Sequence, residues 1–163
     1  MIFAAWLLLL ALVTFAFSAL LERQNNPNRD LAILTEGDAP PQVVLKRNRA
    51  GHYVATGQIN GHPVTFLLDT GATDVAVPAA LAERLGLRKG VQVINQTANG
   101  TVVSWRTRLA EVRLGPIRLR NVRAAILPGM DGREVLLGMS FLKHLEMVQR
   151  GDTLTLRPPP LDG

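Results

Sequence analysis

The chain has 163 residues, a formal net charge of +5 and no cysteine. The lack of cysteine excludes disulfides, thiolate metal ligands and a cysteine nucleophile. Beyond an uncharged apolar stretch at residues 1–21, roughly 140 residues remain, which is enough for one globular domain with its own core.

Residues 1–21 match the length of about 20 apolar residues that a helix needs to cross a bilayer. A cleaved signal peptide is the alternative. However, no basic residue precedes the apolar run, and the best small-residue cleavage site, at residues 16–18, fits poorly. We therefore predict an uncleaved transmembrane anchor and a single-pass membrane location. The side of the membrane that carries the remaining chain stays open, because the charges flanking the anchor nearly cancel.

Residues 22–42 are rich in polar residues and proline, a composition typical of a linker. The segment from 43 to 157 is predicted to form the domain, and 158–163 a tail. Asn60-Gly61 predicts a tight hairpin turn, and a second hairpin turns at residues 97–100. Helices are predicted at 78–85, ended by Gly86, and at 139–144. The predicted strands are residues 43–46, 52–59, 64–68, 91–96, 101–109, 110–114, 117–127, 134–137, 146–149 and 153–157.

This pattern predicts a mainly β domain, closed as a barrel or sandwich, with one or two short helices. Its most unusual segment is an apolar strand that runs directly into Asp69. Burial of a carboxylate without partners is costly, and Gly71 allows the backbone to turn tightly behind it. The pattern therefore indicates a carboxylate held at the end of a sheet. The alternative is an ordinary turn in which Asp69 bonds its own backbone.

Three further features accompany Asp69-Thr70-Gly71. Ala72 follows directly, and an Asn-Gly hairpin lies downstream. A second apolar element, Leu136-Leu137-Gly138, then precedes a short predicted helix. With these features the chain resembles the retropepsin, or retroviral-type, aspartic proteases, and particularly bacterial members with an N-terminal membrane segment. The resemblance extends over about residues 50–157 and implies a closed β-barrel and, for the anchor, the bacterial inner membrane.

The resemblance also implies roles for individual residues. Asp69 would be the catalytic carboxylate, and Leu136-Leu137-Gly138 would thread past its loop. The supporting loop residues would be Thr70, Gly71 and Ala72, and the cleft and flap residues Asp74, Thr97, Ala98, Asn99 and Gly100. The family's usual arginine after the second glycine is replaced by Met139. A dimer would therefore be held differently here, although Asp74 keeps a carboxylate near the cleft.

Aspartic protease chemistry needs two carboxylates that share one proton. Only one of the seven aspartates, Asp69, lies in an Asp-Thr-Gly or Asp-Ser-Gly setting. Two copies of the chain would have to supply the pair around a twofold axis. We therefore predict an aspartic endopeptidase that acts as a homodimer on extended peptides, with no metal and no organic cofactor.

Two other functions stay open: a non-catalytic peptide-binding or dimerisation module, and a basic domain that binds anionic lipid or nucleic acid. Nucleic acid is not expected as a partner. Ser140 lacks the elbow of a serine hydrolase, and the three histidines lack metal-ligand spacing. Val75, Ala76, Val77, Ile126 and Leu136 are candidate cleft walls. One group of arginines is interpreted as an outer sheet face, with a bias toward acidic substrates as the alternative: Arg106, Arg108, Arg113, Arg118, Arg120 and Arg123.

Overall fold

A computed structural model describes residues 2–35, 40–97 and 100–159. The chain forms a long N-terminal helix followed by a mainly β domain with two short helices. In chain order the elements are α1 (Ile2–Asn25), β1 (Ala32–Leu34), β2 (Gln42–Lys46), β3 (Val54–Ile59), β4 (His62–Leu68), β5 (Val75–Pro78), α2 (Ala79–Arg84), β6 (Gln92–Thr97), β7 (Gly100–Leu114), β8 (Ile117–Leu127), β9 (Glu134–Leu137), α3 (Met139–Leu142), β10 (Glu146–Arg150) and β11 (Thr153–Arg157).

The larger sheet has the strand order β3-β4-β9-β5-β8-β7-β6, and an additional pairing joins β3 to β7. That pairing, in which Ile59 lies opposite Val112, closes the sheet on itself. The predicted mainly β, closed architecture with few short helices is therefore confirmed. Within the closed sheet lies an apolar core whose largest fully buried side chains include Phe66, Phe141, Ile59, Leu109 and Leu137.

The first hairpin turn follows the sequence pattern. Asn60 and Gly61 have φ angles of 50° and 81°, the left-handed region that a tight hairpin turn requires at both central positions. Strand β7 differs from the prediction, because it runs unbroken over the predicted boundary between residues 109 and 110. Both helices end earlier than predicted, α2 at Arg84 and α3 at Leu142.

Strand β5 was not predicted as a strand. It is short and all four of its residues are buried, so it shows no alternation of polar and apolar positions. Val75, Val77 and Ile126 are completely buried in the core, so their prediction as cleft walls is wrong for the protomer. Placed between β9 and β8, β5 follows the Asp69 loop directly.

Part of the segment interpreted as a linker packs on the domain. Strand β1 pairs with β2, which belongs to a four-stranded sheet of order β1-β2-β11-β10. The buried Asn28 side chain donates to the carbonyls of Lys46 and Val54 at 2.9 and 2.7 Å and accepts from the Lys46 N–H at 2.6 Å. Asn28 therefore joins β2 of the four-stranded sheet to β3 of the larger sheet.

Helix α1 exposes large apolar side chains, among them Trp6, Leu7 and Phe15. Within the described segments, however, none of the helices combines the length and the apolarity that crossing a membrane demands. The predicted transmembrane anchor at residues 1–21 is therefore not confirmed.

Candidate active site

Asp69 lies immediately after the end of β4, in a loop closed by its own backbone and side chain. Its N–H donates to the carbonyl of Leu137 at 3.2 Å, and its carbonyl accepts from the Ala72 N–H at 3.2 Å. Its Oδ1 accepts from the Gly71 N–H at 2.8 Å. Among the described residues Oδ2 has no partner, and the side chain is partly exposed. One carboxylate oxygen is therefore fixed while the other is available to a ligand.

Gly71 and Thr70 complete this loop. A Cβ on Gly71 would lie 3.1 Å from Asp69 Oδ1, so a larger residue would crowd the oxygen that the turn holds. Thr70 is exposed, on the outside of the turn. The geometry contains the turn that the simpler sequence interpretation expected, but it also contains contacts from a distant strand.

That distant strand is β9, which runs parallel to β4 with Leu137 opposite Leu68. Beyond it, the Met139 N–H donates to the Ala72 carbonyl at 2.8 Å, and the Ser140 N–H donates to the Thr73 carbonyl at 2.9 Å. The loop of Asp69 is thus held by the backbone that follows β9. The Leu136-Leu137-Gly138 element therefore lies against the Asp69 loop.

Gly138 makes this close approach feasible. A Cβ at this position would overlap the Asp74 carbonyl oxygen and lie 2.7 Å from the Ala72 carbonyl oxygen. Its φ angle of −87° is ordinary, so the need for glycine is steric and not conformational. Any side chain here would push the Asp69 loop away from α3.

Ser140, which sequence reasoning considered only as a nucleophile, has a different role. Its buried hydroxyl donates to the Arg123 carbonyl at 2.8 Å and accepts from the Val75 N–H at 3.0 Å. It therefore joins α3 to β8 and β5, the two strands that flank the end of the Asp69 loop.

Asp74 has a cation partner that the sequence did not indicate. Arg123 Nη2 lies 3.3 Å from Asp74 Oδ1. That oxygen is buried and accepts no hydrogen bond from the described residues, so the interaction is an ion pair without hydrogen-bond alignment. Arg123 reaches Asp74 because β8 runs parallel to β5, with Ala124 opposite Val75. If residues 75–78 had been recognised as a strand, its pairing with β8 would have indicated that Asp74 and Arg123 lie close together.

The predicted flap is a hairpin of β6 and β7 whose last described pair is Thr97 opposite Gly100. Ala98 and Asn99, the predicted tip, lie outside the described residues. The hairpin therefore exists where it was expected, and its relation to a substrate stays a prediction.

An open cleft of about 750 Å³ extends from the end of the Asp69 loop toward the base of this hairpin. Thr73 and Asp74 lie at one side, and Leu87, Ala110 and Ala124 supply apolar surface. Four arginines also line it: Arg88, Arg106, Arg108 and Arg123. No three histidine or carboxylate side chains in the described segments come together as a metal site.

Comparison with known proteins agrees with this geometry. The model of a family described as "gag-polyprotein putative aspartyl protease" matches residues 55–144. The crystal structure of a retropepsin-like aspartic protease from Rickettsia conorii is similar to the chain, with a TM-score of 0.58 and 25% identity over 78% of this chain and 94% of that one.

Two curated relatives carry no described activity. An uncharacterized protein of the cobV 5′ region in a Sinorhizobium species is 34% identical over 94% of this chain and 71% of its own length. An uncharacterized protein of Rickettsia prowazekii is 27% identical over 64% of this chain and 46% of its own. The chain belongs to the retropepsin-like, gag-type aspartyl protease family, as the resemblance of its Asp-Thr-Gly-Ala segment implied.

Proposed function

We propose that the chain is an aspartic endopeptidase whose active site forms when two copies bring their Asp69 loops together. One observation carries the proposal. Asp69 presents a partly exposed carboxylate, with Oδ2 unpartnered among the described residues, on a loop held by the backbone on both sides of Gly138. A rigid acid at the end of a barrel strand is what water activation needs, and family membership supports the same chemistry.

The chemistry follows from two carboxylates close together. Like charges about 3 Å apart cannot both ionise, so the pair holds one proton between them. The ionised Asp69 takes a proton from a water while the water oxygen bonds to the scissile carbonyl carbon. The protonated Asp69 of the second copy gives its proton to the carbonyl oxygen, and a neutral gem-diol results. Return of a proton to the dyad and protonation of the amine then break the C–N bond.

A homodimer follows from the sequence count, because each chain supplies one suitable aspartate. Rotation about a twofold axis would bring identical loops face to face. Met139 stands where the family usually has an arginine, and Asp74 pairs with Arg123 of its own chain, so a dimer would depend on other contacts.

We also propose a single-pass membrane anchor at residues 1–21, supported by the absence of charge there and by the exposed apolar side chains of α1. Confinement to a membrane would raise the local concentration and favour pairing. Extraction by detergent, but not by high salt or alkaline carbonate, would support the anchor. Release by salt alone would contradict it.

The direct test of catalysis is cleavage of a peptide library by wild-type protein and by Asp69→Asn. We expect activity to fall by roughly 10³-fold or more, because removal of a catalytic group costs several kcal/mol of transition-state stabilisation. Asp152→Asn is the matched control, since Asp152 is exposed in the turn between β10 and β11. An inhibitor that mimics the gem-diol should block the wild type.

Full activity in Asp69→Asn would remove this residue from the chemistry. Peptide binding without cleavage by the wild type at any concentration would instead support the non-catalytic peptide-binding module.

A further inference from the structure

The six arginines interpreted from sequence as one outer sheet face fall into two groups. Arg113, Arg118 and Arg120 all surround Glu111, with nitrogen-to-oxygen distances of 3.5, 3.3 and 3.9 Å. They form an ion-pair network on the surface of the sheet. The other three, Arg106, Arg108 and Arg123, line the cleft beside the Asp69 loop together with Arg88.

The cleft group has little negative charge around it. Asp74 is the one carboxylate among the lining residues, and it pairs with Arg123. Arg108 donates to the side-chain oxygen of Asn121 at 3.1 Å, a neutral partner. Within the described part of the chain, Arg88 and Arg106 make no ion pair at all. Four guanidinium groups therefore share one carboxylate.

This arrangement costs stability in the absence of a ligand. Arg108 and Arg123 lie directly opposite each other on β7 and β8, a position in which like charges repel. Arg113 and Arg118 are also opposite each other, but both lie within 3.5 Å of Glu111, which offsets their repulsion. A site that gathers four positive charges around one carboxylate is suited to a negatively charged ligand.

The cleft is also preformed. The Gly90 N–H donates to the Arg106 carbonyl at 2.8 Å, and the Arg106 N–H donates to the Val91 carbonyl at 2.9 Å. Beside it, Lys89 lies 5.0 Å from the centre of the Trp105 ring. The segment that carries Arg88 is thereby fixed along β7, so little ordering would be needed on binding.

The cleft lies within reach of a peptide that is bound at the Asp69 loop. Asp74 is five residues after Asp69, so the two lie at most about 18 Å apart along the chain. An extended peptide spans that distance in about five residues. Leu87, Ala110 and Ala124 add apolar surface for the methylene groups of a side chain.

We propose that this arginine-lined cleft is a specificity subsite for an acidic side chain, glutamate or aspartate, within about five residues of the scissile bond. The proposal rests on the proposed protease function. Guanidinium groups bind carboxylates through charge-assisted, often bidentate hydrogen bonds, and the unpaired Arg88 and Arg106 are the groups available for it.

The test uses pairs of fluorogenic peptides that differ only by Glu or Gln at one position, scanned through five positions on each side of the cleaved bond. We expect one position at which wild-type kcat/KM is about tenfold higher for Glu, decreasing with added salt. In Arg88→Gln and Arg106→Gln that ratio should fall to about threefold or less, and in the double variant to about one. Arg150→Gln, on the other sheet, removes the same charge and should keep the ratio.

A second measurement does not depend on catalysis. The same peptides, labelled, are titrated with the Asp69→Asn protein, and fluorescence anisotropy reports binding. If the Asp69→Asn protein binds the Glu peptide more tightly, and Arg88→Gln and Arg106→Gln abolish that preference, the subsite is supported. This holds even if no peptide is ever cleaved, because absence of cleavage contradicts only the protease function.

Cleavage of the Glu and Gln peptides with equal kcat/KM at all positions overturns the subsite and leaves the protease function standing. The subsite is also overturned if the double variant keeps the preference for Glu and has the melting curve of the wild type. Arginine-dependent binding of anionic vesicles or RNA, without a preference between the peptides, would also overturn it.

Discussion

At the scale of single residues, the position of Asp69 depends on how closely two backbone segments approach each other. The Asp69 loop and the chain after β9 are joined by backbone hydrogen bonds from Met139 and Ser140 to Ala72 and Thr73. Those bonds form only because no side chain separates the two segments at Gly138. The glycine is therefore as necessary for the position of the carboxylate as the loop that carries it.

Gly138→Ala tests this packing. We expect a loss of about 1–3 kcal/mol in the free energy of unfolding, because the added methyl group overlaps backbone atoms that cannot rotate away. At temperatures where the variant stays folded, its proteolytic activity should still be lower than that of the wild type, because the Asp69 loop is displaced. Gly129→Ala is the control, since a Cβ there meets nothing within 4 Å and its φ angle is ordinary. Wild-type stability in Gly138→Ala would show that the two segments can separate without cost.

At the scale of elements, the chain before the barrel contributes to the fold. Asn28 satisfies two carbonyls and one N–H of β2 and β3 although it lies in a segment with few strand signals. A single asparagine amide can replace a backbone partner where two strands separate. The packed domain therefore includes residues before the predicted start at 43.

Asn28→Ala should lower the free energy of unfolding on the order of 3 kcal/mol, since three backbone groups lose their hydrogen-bond partner. Urea denaturation would measure it. Gln149→Ala, which removes an exposed amide from β10, should change stability by less than about 0.5 kcal/mol. An equally small effect of Asn28→Ala would mean that the segment is not part of the folded domain.

The C-terminal hairpin contains the pair that gives a dependence on pH. Glu146 lies opposite Arg157, and its two oxygens accept from that guanidinium at 2.7 and 2.9 Å. Hydrogen bonding to Arg157, with a smaller contribution from its charge, lowers the pKa of Glu146 below its ordinary value. Because the folded-state pKa is lower than the unfolded one, the stabilisation is complete above the unfolded pKa and is lost as pH falls through the folded one.

We therefore expect Glu146→Gln to lower the melting temperature slightly at pH 7, and the difference from wild type to shrink as the pH falls below the ordinary pKa of glutamate. Melting curves of both proteins between pH 3 and pH 8 would show it. The effect is small because the pair is partly exposed to solvent. A difference that grew as the pH fell would contradict the sign of the shift.

At the scale of the whole molecule, local signals in the sequence predicted the antiparallel hairpins and the loop of Asp69. Alternation and Asn-Gly turns act between neighbours in the chain, so they are readable without the fold. The parallel pairings of β4 with β9 and of β5 with β8 join segments far apart in sequence. Strand β5 has no alternation, and the Asp74–Arg123 pair depends on its register, so neither was visible beforehand.

The proposed active site is shared between two chains. Each chain has one closed sheet and one Asp69 loop, so the proposed chemistry needs a second copy. Subunits that exchange freely will pair at random when their interfaces are identical. An inactive copy should therefore disable every wild-type copy with which it pairs.

Mixing wild-type and Asp69→Asn protein at constant total concentration tests this most directly. If two Asp69 side chains form one site, peptide cleavage follows the square of the wild-type fraction, and an equal mixture has about one quarter of the wild-type activity. Activity proportional to the wild-type fraction, with about one half remaining in the equal mixture, would show that each chain works alone and would contradict the account.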